Sequence, residues 1–337
     1  MNISEQAQTL HSRSVVIDSH SDTMIENYVS RITPGFAHPT DRLHMDLERS
    51  LAGGLTCAFF MVGGNAQPRT WELVDLMHRE VEANADRMTL ALCAQDIRRA
   101  KAEGKLAGLM SFEGGRAFGG DLALLRNFYR LGVRCMSITH GEGGSEADQL
   151  QGEKSFFGFC DMAAREQGRK CGKGLTEFGR GAVKEMNRLG TLIDAAHCND
   201  RSLWDLIELS DAPIVYTHGN CYALSPHSRN LTDDALKALG DKGGVIGVAF
   251  FPKFIDEHEP SLSRLVDHIE HIIEVAGVDA AGVGTDFDGM GATTPIIPEV
   301  SRLPELTQAM LDRGFPPADI EKILGGNWLR VIQEVVG

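Results

Sequence analysis

No apolar run in this chain approaches the roughly 18 residues a spanning helix needs, and the stretch from Met1 to Ser14 is polar with mixed charge. A soluble, unexported, cytoplasmic protein without a membrane anchor is expected. Disulfide architecture is also missing. The seven cysteines (Cys57, Cys93, Cys135, Cys160, Cys171, Cys198 and Cys221) are odd in number, contain no C-x-x-C pair and form no dense framework, which fits reduced thiols. Basic charge is scarce: 33 Lys+Arg against 47 Asp+Glu leave a net charge of −14. With 42% hydrophobic and 24% charged residues, that balance argues against disorder and against a nucleic-acid partner, leaving small molecules or proteins. There is no internal repeat, low-complexity tract or break in composition, so residues 1–337 read as one domain.

What the chain does have is alternation. Eight apolar, β-branched runs bounded by glycine read as strands: Ser14–Asp22, Leu55–Val62, Leu106–Glu113, Val133–His140, Thr191–His197, Ile214–His218, Val245–Phe251 and Gly282–Asp286. Most are continuously apolar, as strands buried on both faces of a parallel sheet are. Helical patterns lie between most of them, among them Trp71–Asp86, Leu122–Leu131, Glu177–Leu189, Arg201–Leu209, Asp233–Leu239 and Ser261–Ala276. The expected fold is α/β, a (β/α)8 TIM-like barrel with a C-terminal helical extension over Leu303–Arg313, Pro317–Leu324 and Trp328–Val336, packed outside the barrel. An open doubly wound sheet would alternate in nearly the same way. The barrel is favoured because run after run ends in a group that can ligate or titrate, and a barrel gathers those ends at one mouth. The connection from Gly141 to about Thr176, with its Phe156–Phe159 cluster, is long enough to be a lid, a binding loop or an interface.

His20 and Asp22 close the first run two residues apart, on one face of a strand, so an imidazole and a carboxylate can grip one metal. Glu113 follows an apolar stretch and precedes Gly114-Gly115, where a buried carboxylate needs a partner or a cation. His197 and His218 end two consecutive runs. Singly, each is explained as well by a turn cap, a salt bridge or a hydrogen-bonded core residue; together they form a set that chance rarely assembles. Five ligands exceed one tetrahedral zinc but suit two ions: His20 and Asp22 on one, His197 and His218 on the other, Glu113 bridging. Two Zn²⁺ per chain fit this nitrogen and oxygen set, and Mn, Co or Fe would also be accepted. Asp286, between Gly284 and Gly289, is placed to be the general base, and Asp288 to be a turn or supporting residue. His140 either polarises the reacting carbonyl or packs in the core. Arg229 ends an irregular connection, where an arginine either clamps a substrate carboxylate or lies on the surface. Cys198 and Cys221 read as packing residues.

The motifs VIDSHSD, SFEGG, SITH, LTEFGRGAVKEMNRLGTLIDAAH, YTHGNCYALSPHSRN, GVGTDFDG and ILGGNWLRV together resemble the membrane dipeptidase (renal dipeptidase) family of zinc-dependent amidohydrolase barrels, from Val15 to about Val335. The resemblance implies hydrolysis of dipeptides with tolerance for D-residues at the C-terminal position. It places the two-zinc site on His20, Asp22, Glu113, His197 and His218, and the acid/base on Asp286. A substrate-contacting histidine falls on His140 and a carboxylate-binding arginine on Arg229, with a metal-bridging hydroxide as nucleophile. It also implies a homodimer. Relatives commonly carry Asn after the histidine matched by His140, where this chain has Gly141. Phe251 stands where mammalian relatives use a tyrosine toward the substrate carboxylate, which removes a hydroxyl donor. Two other readings remain: an amidohydrolase for another small amide, such as an N-acyl amino acid or lactam, and a non-catalytic binding barrel.

Overall fold

The computed structural model describes residues 2–31, 35–63, 67–118, 120–137, 139–140 and 174–337. The expected connection from Gly141 lies outside them up to residue 173. Among these described residues nine strands are formed: β1 (Ile17–Ser21), β2 (Cys57–Met61), β3 (Met88–Leu90), β4 (Leu106–Glu113), β5 (Val133–Ser137), β6 (Leu192–Asp194), β7 (Ile214–Val215), β8 (Ile246–Val248) and β9 (Ala281–Val283). All their pairings are parallel, in the order β1-β2-β4-β5-β6-β7 and β8-β9. Two single bridges, Tyr216 to Ile246 and Ser21 to Phe287, join these arcs into a closed ring of eight. Strands buried on both faces leave neither face to water, and the buried runs of Val, Ile, Leu and Phe follow from that.

The eight expected strands are the eight of the ring. The ninth, β3, pairs with residues 106–108 of β4 on the edge that β5 occupies higher up. Its three residues are too short for a periodic pattern to register. The observed strands also stop earlier than the apolar runs. His197, His218 and Asp286 lie beyond them, on turns, because the chain must leave the barrel direction to bring these side chains over the mouth.

Alternation sorts the buried residues into two sets. Ala58, Phe60, Leu106 and Met110 face the surrounding helices. Ile17, Cys57, Phe59, Ala107, Leu109, Cys135, Leu192, Val215 and Val245 pack together with Trp328 on the inner side. Trp328 belongs to the last helix, Asn327–Val335, so the extension does more than pack outside the barrel: it closes the floor. The indole meets Phe59 edge-on with ring centroids 5.5 Å apart. A Cβ at Gly282 would collide with its Nε1, which is why β9 carries glycine there. Among the described residues, no helix is long and apolar enough to cross a membrane.

Candidate metal centre

The mouth is built by local devices at each strand end. In β1 three residues run against two of β2 between Asp18 and Ser21, a bulge that re-aims the strand end and delivers both His20 and Asp22 to the site. Glu113 is the last residue of β4. Gly114 then turns with φ +109°, its N–H donating to the Ser137 hydroxyl at 3.0 Å. Of four non-glycine residues with positive φ among those described, three are here: His197 (φ +67°), Asp286 (+63°) and Asp288 (+66°). Left-handed backbone is unfavourable for such residues, and strain of this kind collects where geometry serves function.

The carboxylate Oε1 of Glu113 lies 2.7 Å from His197 Nε2, 3.4 Å from His218 Nε2 and 3.5 Å from His20 Nε2. His20 Nε2 is also 3.5 Å from Asp22 Oδ2 and 3.8 Å from Asp286 Oδ1. Three triads have ligand atoms within 4.8 Å of one another: His20–Asp22–Glu113, Glu113–His197–His218 and His20–His218–Asp286. Gly289 closes the set, since a Cβ there would strike both Asp22 Oδ2 and Asp286 Oδ1.

Electrostatics follow from packing three carboxylates and three imidazoles out of water. Burial raises the Glu113 carboxyl, but His140, His20 and His197 outweigh it and hold it well below its ordinary value. Burial, with Arg229 nearby, pushes His197 down, and burial, His20 and Arg229 do the same to His218, so both are neutral. Burial opposes a charge on His20 as well, yet Glu113, Asp22 and Asp286 prevail and push it up to about 10. Asp286 is raised to about 7, first by burial and then by Asp22 and Glu113, against His20 and Arg229.

A cavity of ≈ 400 Å³ opens on this cluster, lined also by His140, Arg229, Phe251, Phe254, Met290 and Gly291. His140 is one-third exposed, with Nε2 3.5 Å from Glu113 Oε2. Arg229 is buried, its guanidinium 5.4 Å from the Phe254 ring centre, its Nη2 donating to His218 Nε2 at 2.6 Å and its Nε without a partner. The surface reading of Arg229 therefore gives way to the inward one. Phe251 stacks edge-on with Phe254 in the cavity wall. Phe254, in a helix of four residues (Pro252–Ile255), and Met290, in a loop, went unnoticed in the sequence because segments this short carry no periodic signal. Asp288 is a supporting residue: it accepts from the Thr23 hydroxyl (2.5 Å) and from the His44 backbone N–H (2.8 Å). Cys221 packs as expected, its thiol against the His268 carbonyl.

The donor set fits a metal. His20 is wholly buried with neither ring nitrogen hydrogen-bonded, and His197 Nδ1 is likewise unpartnered. Such orphans are costly unless a ligand satisfies them. Ligands about 2.1 Å from a tetrahedral zinc stand about 3.4 Å apart. That is the spacing of His20 Nε2 from Asp22 and Glu113 and of Glu113 from His218.

The sequence profile of the membrane dipeptidase family (peptidase family M19) matches residues 4–336. The dipeptidase tcpJ of Claviceps purpurea is 33% identical over 94% of this chain and 76% of its own. The crystal structure of dipeptidase AC, a metallopeptidase of family M19, superposes with a TM-score of 0.81 at 29% identity, covering 96% of this chain and 99% of that one. A metallopeptidase from Rhodobacter sphaeroides, solved with a phosphinate mimic of the dipeptide L-Ala-D-Ala, is similar at 27% identity and a TM-score of 0.80, over 96% and 99%. By this profile match and these likenesses, borne on a barrel mouth whose donors fit a metal, the chain belongs to the membrane dipeptidase family and is a metal-dependent dipeptidase.

Proposed function

We propose that the protein hydrolyses dipeptides, including those with a D-residue at the C-terminal position, at a centre holding two Zn²⁺ ions. His20 and Asp22 would hold one ion, His197 and His218 the other, and Glu113 both. The observation that carries this reading is Glu113 Oε1, which lies within 3.5 Å of three imidazole nitrogens from three separate strand ends. The metals would supply Lewis-acid polarisation and positive charge opposite the three carboxylates.

The chain's own residues would do the rest. Arg229 lines the cavity, has a buried Nε without a partner, and would pair with the free carboxylate, confining substrates to dipeptide length. Asp286, whose carboxylate Oδ1 stands 3.8 Å from His20 Nε2 at the edge of the same cluster, would take a proton from water and pass it to the departing amine, so that one C–N bond breaks and one water is consumed. His140 Nε2 would donate to the carbonyl oxygen as negative charge builds there. Phe251, Phe254 and Met290 offer an apolar wall to the substrate side chain. D-residue tolerance is supported by the L-Ala-D-Ala mimic bound to the Rhodobacter relative. The profile match over residues 4–336 supports one catalytic barrel, and the thiols of Cys57, Cys93, Cys135 and Cys221, free among the described residues, support a reducing, cytoplasmic setting.

The test is a panel of L-L and L-D dipeptides, their C-terminal amides and N-acetyl amino acids, run on protein of known metal content. Two metals per chain, loss of turnover with chelator and preference for the free carboxylate are expected. Undiminished dipeptide hydrolysis by metal-free protein would sink the proposal. Faster turnover of N-acetyl amino acids would shift it to another amide.

A further inference from the structure

The Asp194 carboxylate of β6 is buried beside β7 and takes three hydrogen bonds. Ala196 N (3.0 Å) and Thr217 N (2.9 Å) donate to Oδ1, and the Thr217 hydroxyl donates to Oδ2 at 2.7 Å. A hydroxyl has one hydrogen, so Thr217 Oγ1 can only accept in its remaining contact, the one to His218 Nδ1 at 3.0 Å. The other end of the same imidazole agrees. Arg229 Nη2, a group that only donates, points at His218 Nε2 from 2.6 Å, which requires a lone pair there.

From this we infer that Asp194, acting through Thr217, is a positioning residue that locks His218 with hydrogen on Nδ1 and its lone pair on Nε2, facing the centre. The inference rests on the reading that His218 holds a metal. It goes beyond that reading by assigning the supporting pair and the tautomer, and by separating His218 from its neighbours. Neither nitrogen of His20, nor Nδ1 of His197, has a hydrogen-bond partner. A second carboxylate and threonine have the same arrangement without an imidazole: Asp18 accepts from Thr285 N and Oγ1, both at 2.7 Å, while Thr285 Oγ1 accepts from Phe287 N at 3.1 Å. There the clamp holds backbone; at Asp194 it also reaches a ligand. A carboxylate that holds a metal-binding histidine through its far nitrogen raises metal affinity by about 10–100-fold.

The experiment compares full-length wild type with Thr217→Val, Thr217→Ser and Asp194→Asn. Thr217→Val should release one of the two zinc ions to a chelator about 10–100-fold faster and leave the other unchanged. Thr217→Ser, which keeps the hydroxyl, should stay within about threefold of wild type. The second readout is the ¹⁵N-histidine spectrum of the wild-type chain before zinc is added, with the His218 signal identified by its loss in His218→Ala. Hydrogen on Nδ1 is expected. Hydrogen on Nε2, or unchanged zinc release from folded Thr217→Val, would overturn the inference. If Thr217→Val does not fold, the wild-type spectrum and Asp194→Asn decide. A wild-type chain that takes up no zinc would refute the function proposed above, while the tautomer would still decide the relay.

Discussion

The two ends of this barrel are made from the same eight strands and obey opposite physics. At the floor, the strand starts contribute Ile17, Cys57, Ala107, Cys135, Leu192, Val215 and Val245, closed by Trp328 from the last helix. Apart from the unpartnered indole N–H of Trp328 the groups there are apolar, and their free energy comes from removing hydrocarbon from water and filling space. At the mouth, a few residues further along, His20, Glu113, His197, His218 and Asp286 are buried beside the half-buried Asp22, with ring nitrogens unsatisfied and two ligand-region residues at positive φ. That end costs stability, and the floor and outer core offset it. The difference teaches that stability and chemistry are separable here, so substitutions at one end should leave the other end's property intact.

The largest effect should come from breaking the mouth. Asp286→Asn is expected to lower kcat by about 10³-fold, roughly 4 kcal/mol in the barrier, with metal content and melting temperature unchanged. Steady-state kinetics alongside metal analysis checks this, and an unaltered kcat removes Asp286 from the mechanism. The mirror experiment is Trp328→Ala, which should cost about 3–4 kcal/mol of folding stability while kcat per folded molecule at low temperature holds near wild type. Urea unfolding with parallel assays reads both; a collapse of kcat in fully folded variant would show the ends to be coupled.

A third prediction sharpens the contrast by following buried histidines that belong to neither end. His268 accepts from Cys221 N, contacts the Ile255 carbonyl at 2.8 Å, and is pushed down to about 4, chiefly by burial; His11 is likewise pushed to about 4, chiefly by burial. Both are neutral in folded and unfolded chains above pH 6.5. Between 6.5 and 4 only the unfolded chain gains these protons, so stability falls as pH falls through that window. Each histidine contributes on the order of 2–3 kcal/mol to the loss. Urea midpoints from pH 7 to 4 should show the limb, and His268→Gln should remove one share of it; an equally steep limb in that variant would contradict the assignment. The smallest effect is at the carboxylate clamp. Arg229→Ala should raise KM for dipeptides by about 10–30-fold, with little change for C-terminal amides, if the arginine binds ground and transition states alike. Equal losses on both substrates would place its role elsewhere.

Much of this was legible in the sequence, for identifiable reasons. Buried parallel strands must be continuously apolar, so the eight ring strands stand out as runs, and β4 has the expected bounds Leu106–Glu113. A polar group closing an apolar run is conspicuous, which is how His20, Asp22, Glu113, His197, His218 and Asp286 could be named. What escaped is what lacks local pattern. β3 is three residues long, Phe254 sits in a helix of four and Met290 in a loop, and Asp194 inside Leu-Ile-Asp-Ala-Ala looks like any polar interruption.

By itself the sequence determined the order of strands and helices and the residue types available at each strand end, because periodicity and burial are local properties of a chain. Only the tertiary structure decided which of those ends meet. Ring closure through Tyr216–Ile246 and Ser21–Phe287 brings residues 20 and 286 together, and the bulge in β1 sets the phase of His20 and Asp22. Arg229 turns inward, and Thr217 is placed between a carboxylate and an imidazole. Distances between groups far apart in the chain are fixed by packing and hydrogen bonding across the fold, and no local pattern encodes them.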